Sequence, residues 1–169
     1  GYLCRYKYYP HLVTLTSEEL LDYIKISIQL SKFFNYESNS FPSSNDILTR
    51  LLLKRKRIIH KARNKETVFK SILEERYKEK GNLKYTLVYV PEGTRTDDDN
   101  ADVYDCNDEI KDDDYTDSLI DVYSEIAKNV SNTTTVKKFM SGIKDRDVIL
   151  EQFAKGEIEV LTSMKCLDE

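Results

Sequence analysis

The feature that most constrains the fold is an alternation that begins after Gly81. Three short apolar segments, Tyr85–Val90, Thr135–Met140 and Ile158–Thr162, are separated by stretches with helical periodicity. The first, Tyr-Thr-Leu-Val-Tyr-Val, is β-branched and aromatic with almost no polar break, as expected of a strand buried on both faces, and Pro91 and Gly93 end it. A helix is expected from Tyr115 to Val130, with Leu119, Val122, Tyr123 and Ile126 inward. Another carries Val148, Ile149, Leu150 and Phe153, with Asp145 as its cap and Gly156 as its stop. Strands alternating with helices imply parallel strands joined by crossovers, hence an open α/β sheet with helices on both faces. Function in such a sheet sits at the carboxyl ends of the strands, here Pro91-Glu92-Gly93, Ser141-Gly142 and Thr162-Ser163. Small residues and hydroxyls recur at all three ends, a combination that lets backbone amides approach a phosphate.

The preceding residues read as helical. Thr16 and Glu19 form a capping box with Leu15 and Leu20 at the staple positions, and a helix is expected from Ser17 to Phe34 with Leu20, Leu21, Ile24 and Ile28 on its inward face. After the break around Pro42, a second helix is expected from Ser44 to Arg63, lined by Ile47, Leu48, Leu51, Leu52, Ile59 and Ala62. Arg50, Lys54, Arg57 and Lys61 recur at three- and four-residue steps and form a basic ridge beside that face. A third helix, Glu66 to Lys80, turns Val68, Phe69, Ile72 and Leu73 inward and stops at Gly81. The expected organisation is a helical segment over residues 1–81 and an α/β unit over residues 82–169, without an internal repeat.

Charge is unevenly spread. Arg50 to Lys70 holds nine basic residues against one acid, whereas Asp97 to Asp117 holds eleven acids against one lysine, and the formal net charge of −4 hides both. A polyanion-facing helix and a solvated or self-masking acidic loop over 97–114 follow as expectations; a solvated helix face is the simpler reading of the same charges. In 169 residues, 40% hydrophobic, there is enough apolar material for a core. No apolar run approaches the roughly 20 residues of a membrane span, so no membrane partner is expected. Three scattered cysteines, Cys4, Cys106 and Cys166, suit neither a disulfide framework nor a paired-cysteine zinc site, and a cytoplasmic setting is expected.

Several chemistries lack their residues. The five glycines are followed by Tyr2, Asn82, Thr94, Ile143 and Glu157, so no Gly-Lys-Ser/Thr phosphate loop exists. His11 and His60 belong to no paired ligand motif. Asp98, Asn100, Asp102 and Glu109 match a calcium loop, but Val103 stands where its glycine is required. Asp168-Glu169 has no partner that would make it an acid-base pair. No catalytic residue and no bound metal or cofactor is assigned to this chain.

The run from Phe139 to Glu169 resembles the second RecA-like domain of superfamily-2 helicases and translocases. In that family Ser/Thr-Gly precedes a helix with an Arg near its start, and Phe-x-x-Gly ends that helix before the strand of motif V. Here these are Ser141-Gly142, Arg146 and Phe153-Ala-Lys-Gly156, followed by Ile158 to Thr162 and a terminal Leu-Asp-Glu. Tyr85 to Val90 looks like motif IV. Gly1 to Lys32, with Tyr-Tyr-Pro-His-Leu-Val, resembles the inter-domain connector of relatives from restriction, phage-defence and repair systems. The resemblance implies a partial RecA-like sheet in which Thr162, Ser163 and the Ser141-Gly142 turn touch the sugar-phosphate backbone of DNA or RNA. It implies ATP and Mg²⁺ for a parent hydrolase, with the first RecA-like domain as the missing partner, and an inactive fragment here. The rival expectation is a non-enzymatic protein-interaction module of helical plus small α/β architecture.

Overall fold

The computed structural model describes residues 5–42, 45–91, 93 and 118–164. Among them the elements run α1 (Ser17–Ser31), α2 (Asp46–His60), α3 (Asn64–Lys80), β1 (Thr86–Tyr89), α4 (Leu119–Lys128), β2 (Val136–Phe139), α5 (Arg146–Lys155) and β3 (Val160–Ser163). The strands form one parallel sheet in the order β1-β3-β2. The chain leaves β1, passes through α4 to the far edge β2, and returns through α5 to place β3 in the middle.

Consecutive strand residues point to opposite faces, and the packing shows what covers each. Val160 joins a core with Val88, Leu73 of α3 and Leu119, Ile120, Tyr123 and Ala127 of α4. Its neighbour Leu161 packs with Phe139, Ile149 and Phe153, on the side of α5. Helices therefore cover both faces, as the alternation predicts. All four residues of β3 are buried. The strand expected to be buried on both faces, β1, is instead an edge strand, with Leu87 44% and Tyr89 55% exposed. Burial on both faces belongs to the central position, which local composition does not encode. Tyr85, at φ +61°, stands outside the strand it was expected to open.

α1 begins as the sequence predicts. The Thr16 amide donates to Glu19 Oε2 at 2.8 Å and the Glu19 amide to Thr16 Oγ1 at 3.3 Å, satisfying two donors that a helix start otherwise leaves open. Glu19 Oε1 also accepts from the Arg63 amide at 2.9 Å, tying this cap to the corner between α2 and α3. Burial pushes the Glu19 carboxyl up, but the amide bonds from Thr16 and Arg63, the Thr16 hydroxyl and the Arg63 charge together hold it below the usual carboxylate value. The helix ends at Ser31 rather than Phe34, because Phe33 and Phe34 turn tightly, donating to Leu30 and Ser31 carbonyls.

The inward face of α1 differs from expectation. Ile26 and Leu30 pack with Leu48 of α2, and Phe33, Phe41, Leu51, Leu52 and Ile58 complete this second core. Leu20, Leu21, Ile24 and Ile28 are 46%, 58%, 45% and 58% exposed. The helix carries two apolar stripes, and α2 covers only one. On α2 itself Ile47 and Ile59 are likewise exposed rather than lining the core. Asn45 caps this helix, its Oδ1 accepting from the Ile47 and Leu48 amides, and the helix begins two residues after the expected start at Ser44 and ends three before the expected end at Arg63.

Apolar packing groups α3 with the sheet and α4, and leaves α1 and α2 as the separate helical pair. Gly81, at φ +69°, ends α3 with its amide donating to the Tyr77 carbonyl at 2.8 Å, a left-handed stop that a residue with a Cβ rarely adopts. Asp145 precedes α5 but makes no side-chain capping bond, contrary to expectation. No helix among the described residues is long and apolar enough to cross a membrane.

Candidate nucleic-acid interface

The carboxyl ends of the strands lie level. Tyr89 pairs in register with Ser163, and Ser163 with Phe139, and the Val90 amide donates to the Ser163 carbonyl at 2.9 Å. The turns expected to face a phosphate therefore leave the sheet from one edge. Beyond β2, Ser141 and Gly142 are exposed, and Gly142 sits at φ +85° with open space where a Cβ would stand. α5 starts just beyond, where the Arg146 guanidinium lies over the buried Phe139 ring at 4.9 Å from its centroid. That stacking fixes Arg146 to the end of β2.

Beyond β1, Gly93 meets the basic helix. A Cβ at Gly93 would lie 3.0 Å from Lys61 Cε and 3.6 Å from Lys61 Nζ, so the lysine stem crosses directly over this glycine. The Gly93 backbone, at φ +125°, sends its carbonyl to the Leu119 amide at the first turn of α4. Lys61 follows α2 as its C-cap, with its amide donating to the Arg57 carbonyl at 2.9 Å. Two residues singled out by unrelated sequence signals, a basic ridge and a strand-end glycine, are thus in contact. Arg50, Lys54 and Arg57 continue outward on the exposed face of α2, and eleven residues at 1.5 Å per residue make the ridge about 16 Å long. Arg55 is not part of it, since its guanidinium lies over the Tyr23 ring.

The corner between α2 and α3 adds cations that the ridge pattern did not single out. Burial lowers the His60 pKa, and the charges of Lys56 and Lys65 lower it further. Lys65 donates from Nζ to the His60 carbonyl at 3.3 Å, and its own pKa is lowered by burial. The part of this lowering that comes from Lys56 and Lys65 reports a locally positive potential beside the ring. The density of basic residues between Lys54 and Lys65 was the available sequence signal, but their convergence depends on the turn at Ala62 and Arg63.

The two β3 residues stand differently from the turns. Thr162 is fully buried, its hydroxyl 2.7 Å from Ser124 Oγ and 3.3 Å from the Lys137 carbonyl to which it donates. In this arrangement its side chain ties α4 and β2 to the central strand rather than facing solvent. Ser163 is also buried, and its Oγ has no hydrogen-bond partner. Asp121 of α4 pairs with Lys138 of β2 across the same layer. A shallow concavity lined by Thr135, Val136, Gln152 and Ile158 opens at the opposite, amino-terminal edge and is separate from these turns.

ATP and Mg²⁺, implied by the resemblance, do not fit the turns described. Gly142 is followed by Ile143 and Lys144 in an exposed turn without the Lys-Ser/Thr pair that would hold a triphosphate and its metal. The acidic stretch 97–114, the calcium-loop positions, Glu92 and Asp168-Glu169 lie outside the described residues. No protein-family model, no curated protein and no solved structure matches the chain.

Proposed function

We propose that this chain is part of the nucleic-acid track of an ATP-driven superfamily-2 helicase or translocase, contributing a partial RecA-like sheet and an accessory basic helix but no complete ATP site. The observation that carries the reading is the contact between Lys61 and Gly93, which brings the ridge of α2 to the edge where the strand-end turns emerge. The parallel order β1-β3-β2 and the Ser141-Gly142, Arg146 and Gly156 pattern support the same reading. Gly142 and Gly93 offer backbone amides; Arg50, Lys54, Arg57 and Lys61 offer charge. Contacts of this kind position a sugar-phosphate chain without reading its sequence. Binding should therefore be independent of sequence and fall with salt, with a log-log slope of about −2 to −4 for three or four neutralised phosphates. Fluorescence anisotropy with labelled oligonucleotides over a salt series tests this. Lys54→Glu with Arg57→Glu should lower both affinity and slope, and an unchanged slope would refute the assignment of α2.

A second reading, a protein-interaction module, is favoured by one observation: the exposed stripe Leu20, Leu21, Ile24 and Ile28 on α1. Contiguous exposed apolar surface marks contact sites. The two readings separate in the same assay, because a module of that kind has no reason to bind nucleic acid at low salt.

A further inference from the structure

We propose that the segment from Arg5 to Leu12 is a stacking arm for single-stranded nucleic acid, in which Tyr6, Tyr8 and Tyr9 receive bases while Arg5 and Lys7 hold the sugar-phosphate chain. The proposal rests on the reading of α2 as a phosphate-contacting helix and names the form of nucleic acid that the surface selects.

The arm has no helix or strand of its own, and every residue from Arg5 to Leu12 is exposed. Tyr6, Tyr8 and Tyr9 are 85%, 80% and 69% exposed, so none of the three rings is used by a core. Aromatic and basic residues alternate, Arg-Tyr-Lys-Tyr-Tyr-Pro-His, and no acid occurs from Arg5 to Ser17. Such a segment offers π-faces and positive charge together, the pairing by which proteins hold single strands without regard to sequence. Tyr6 and Tyr8 are two residues apart, about 7 Å along an extended chain, so each ring can take its own base. Pro10 restricts the backbone beside them and reduces the freedom lost on binding.

The fold also fixes where the arm leaves the molecule. The Thr14 carbonyl accepts from Asn64 Nδ2 at 2.8 Å, and the cap at Thr16 is held through Glu19 to the Arg63 amide. Both ties end at the corner between α2 and α3, which carries His60, Lys61, Arg63 and Lys65. The arm thus departs from the basic end of α2, where Lys61 crosses Gly93. A strand whose phosphates follow the ridge would bring its next bases to the tyrosines. A duplex would gain nothing from them, because its bases already stack on one another.

The test uses the whole chain with a short labelled oligo-dT and its duplex with oligo-dA. Stacking is worth about 1–3 kcal/mol per base, or roughly five- to 150-fold in affinity. Replacing Tyr6, Tyr8 and Tyr9 together by Ala should therefore weaken single-strand binding at least tenfold and leave duplex binding unchanged. Replacing the same three by Phe should keep the single-strand preference, since the π-faces remain. The chain has 12 Tyr and no Trp, so quenching of intrinsic tyrosine fluorescence by oligo-dT offers a second readout, which the Ala variant should lose in part. Equal affinity of the unmodified chain for single strand and duplex would overturn the arm, as would an Ala variant that binds oligo-dT normally. In both cases the reading of α2 stands if Lys54→Glu with Arg57→Glu still weakens binding. Absence of any nucleic-acid binding at low salt overturns the arm and the reading together.

Discussion

Replacing Thr162 by Val keeps the shape of the side chain and removes only its hydroxyl, so it measures what that hydroxyl does. Thr162 and Ser124 are 0% and 1% exposed, and their oxygens lie 2.7 Å apart. Thr162→Val leaves the Ser124 hydroxyl buried without this partner and also removes the bond to the Lys137 carbonyl. A buried polar group that loses its partner costs about 1–3 kcal/mol. Ser124→Ala should cost less, about 1 kcal/mol, because Thr162 keeps its bond to Lys137. Once Thr162→Val is in place, Ser124→Ala removes a group that is already unsatisfied, so the double variant should fall short of the sum by about 1 kcal/mol. A loss of about 2 kcal/mol at a urea m-value of about 2 kcal/mol/M moves the midpoint down by about 1 M, well within what circular dichroism resolves. A Thr162→Val variant within about 0.5 kcal/mol of the parent, with additive effects in the double variant, would refute the account of Thr162 as the tie between sheet and helix.

The orientation of α1 is testable by contrast: Leu30→Ala should cost about 2–5 kcal/mol in urea denaturation, whereas Ile24→Lys on the exposed stripe should stay within about 0.5 kcal/mol. Glu19 is held below its ordinary value of 4.5, so the stability it contributes is present above that pH and is lost as pH falls through the lower folded value; Glu19→Gln should flatten this acid limb. His60 is likewise lowered from 6.5, by burial and then by Lys56 and Lys65, so its contribution is complete above pH 6.5 and declines below it. Bound polyanion should raise the His60 pKa, read by NMR titration of its ring protons.

What the sequence made legible was local. The capping box at Thr16 and Glu19, the left-handed stops at Gly81 and Gly156, and the three strand segments depend on neighbours a few residues away, and all are present. Orientation was less legible. Leu20, Ile24 and Ile28 form a valid amphipathic stripe, as do Ile26 and Leu30, and only the shape of α2 decides between them. In the same way Tyr85 to Val90 has the composition of a central strand, yet the order β1-β3-β2 is set by crossovers and puts β1 at the edge. The candidate interface was visible as separate parts. That Lys61 lies on Gly93 and that Thr162 turns inward to Ser124 are contacts between residues far apart in the chain, and the stacking of Arg146 on Phe139 bridges the turn between β2 and α5. Periodicity carries no information about them.

Amide chemical-shift mapping with a short oligonucleotide tests most directly whether the basic helix and the sheet edge act as one surface. With ¹⁵N-labelled chain at low salt, the amides of Lys61, Gly93, Ser141 and Gly142 should shift together along a single binding curve, and those lining the concavity at Thr135, Val136 and Gln152 should not. Perturbations confined to α2, with Gly93 and Gly142 unmoved at saturation, would contradict the joined surface and leave the helix as an isolated patch of charge.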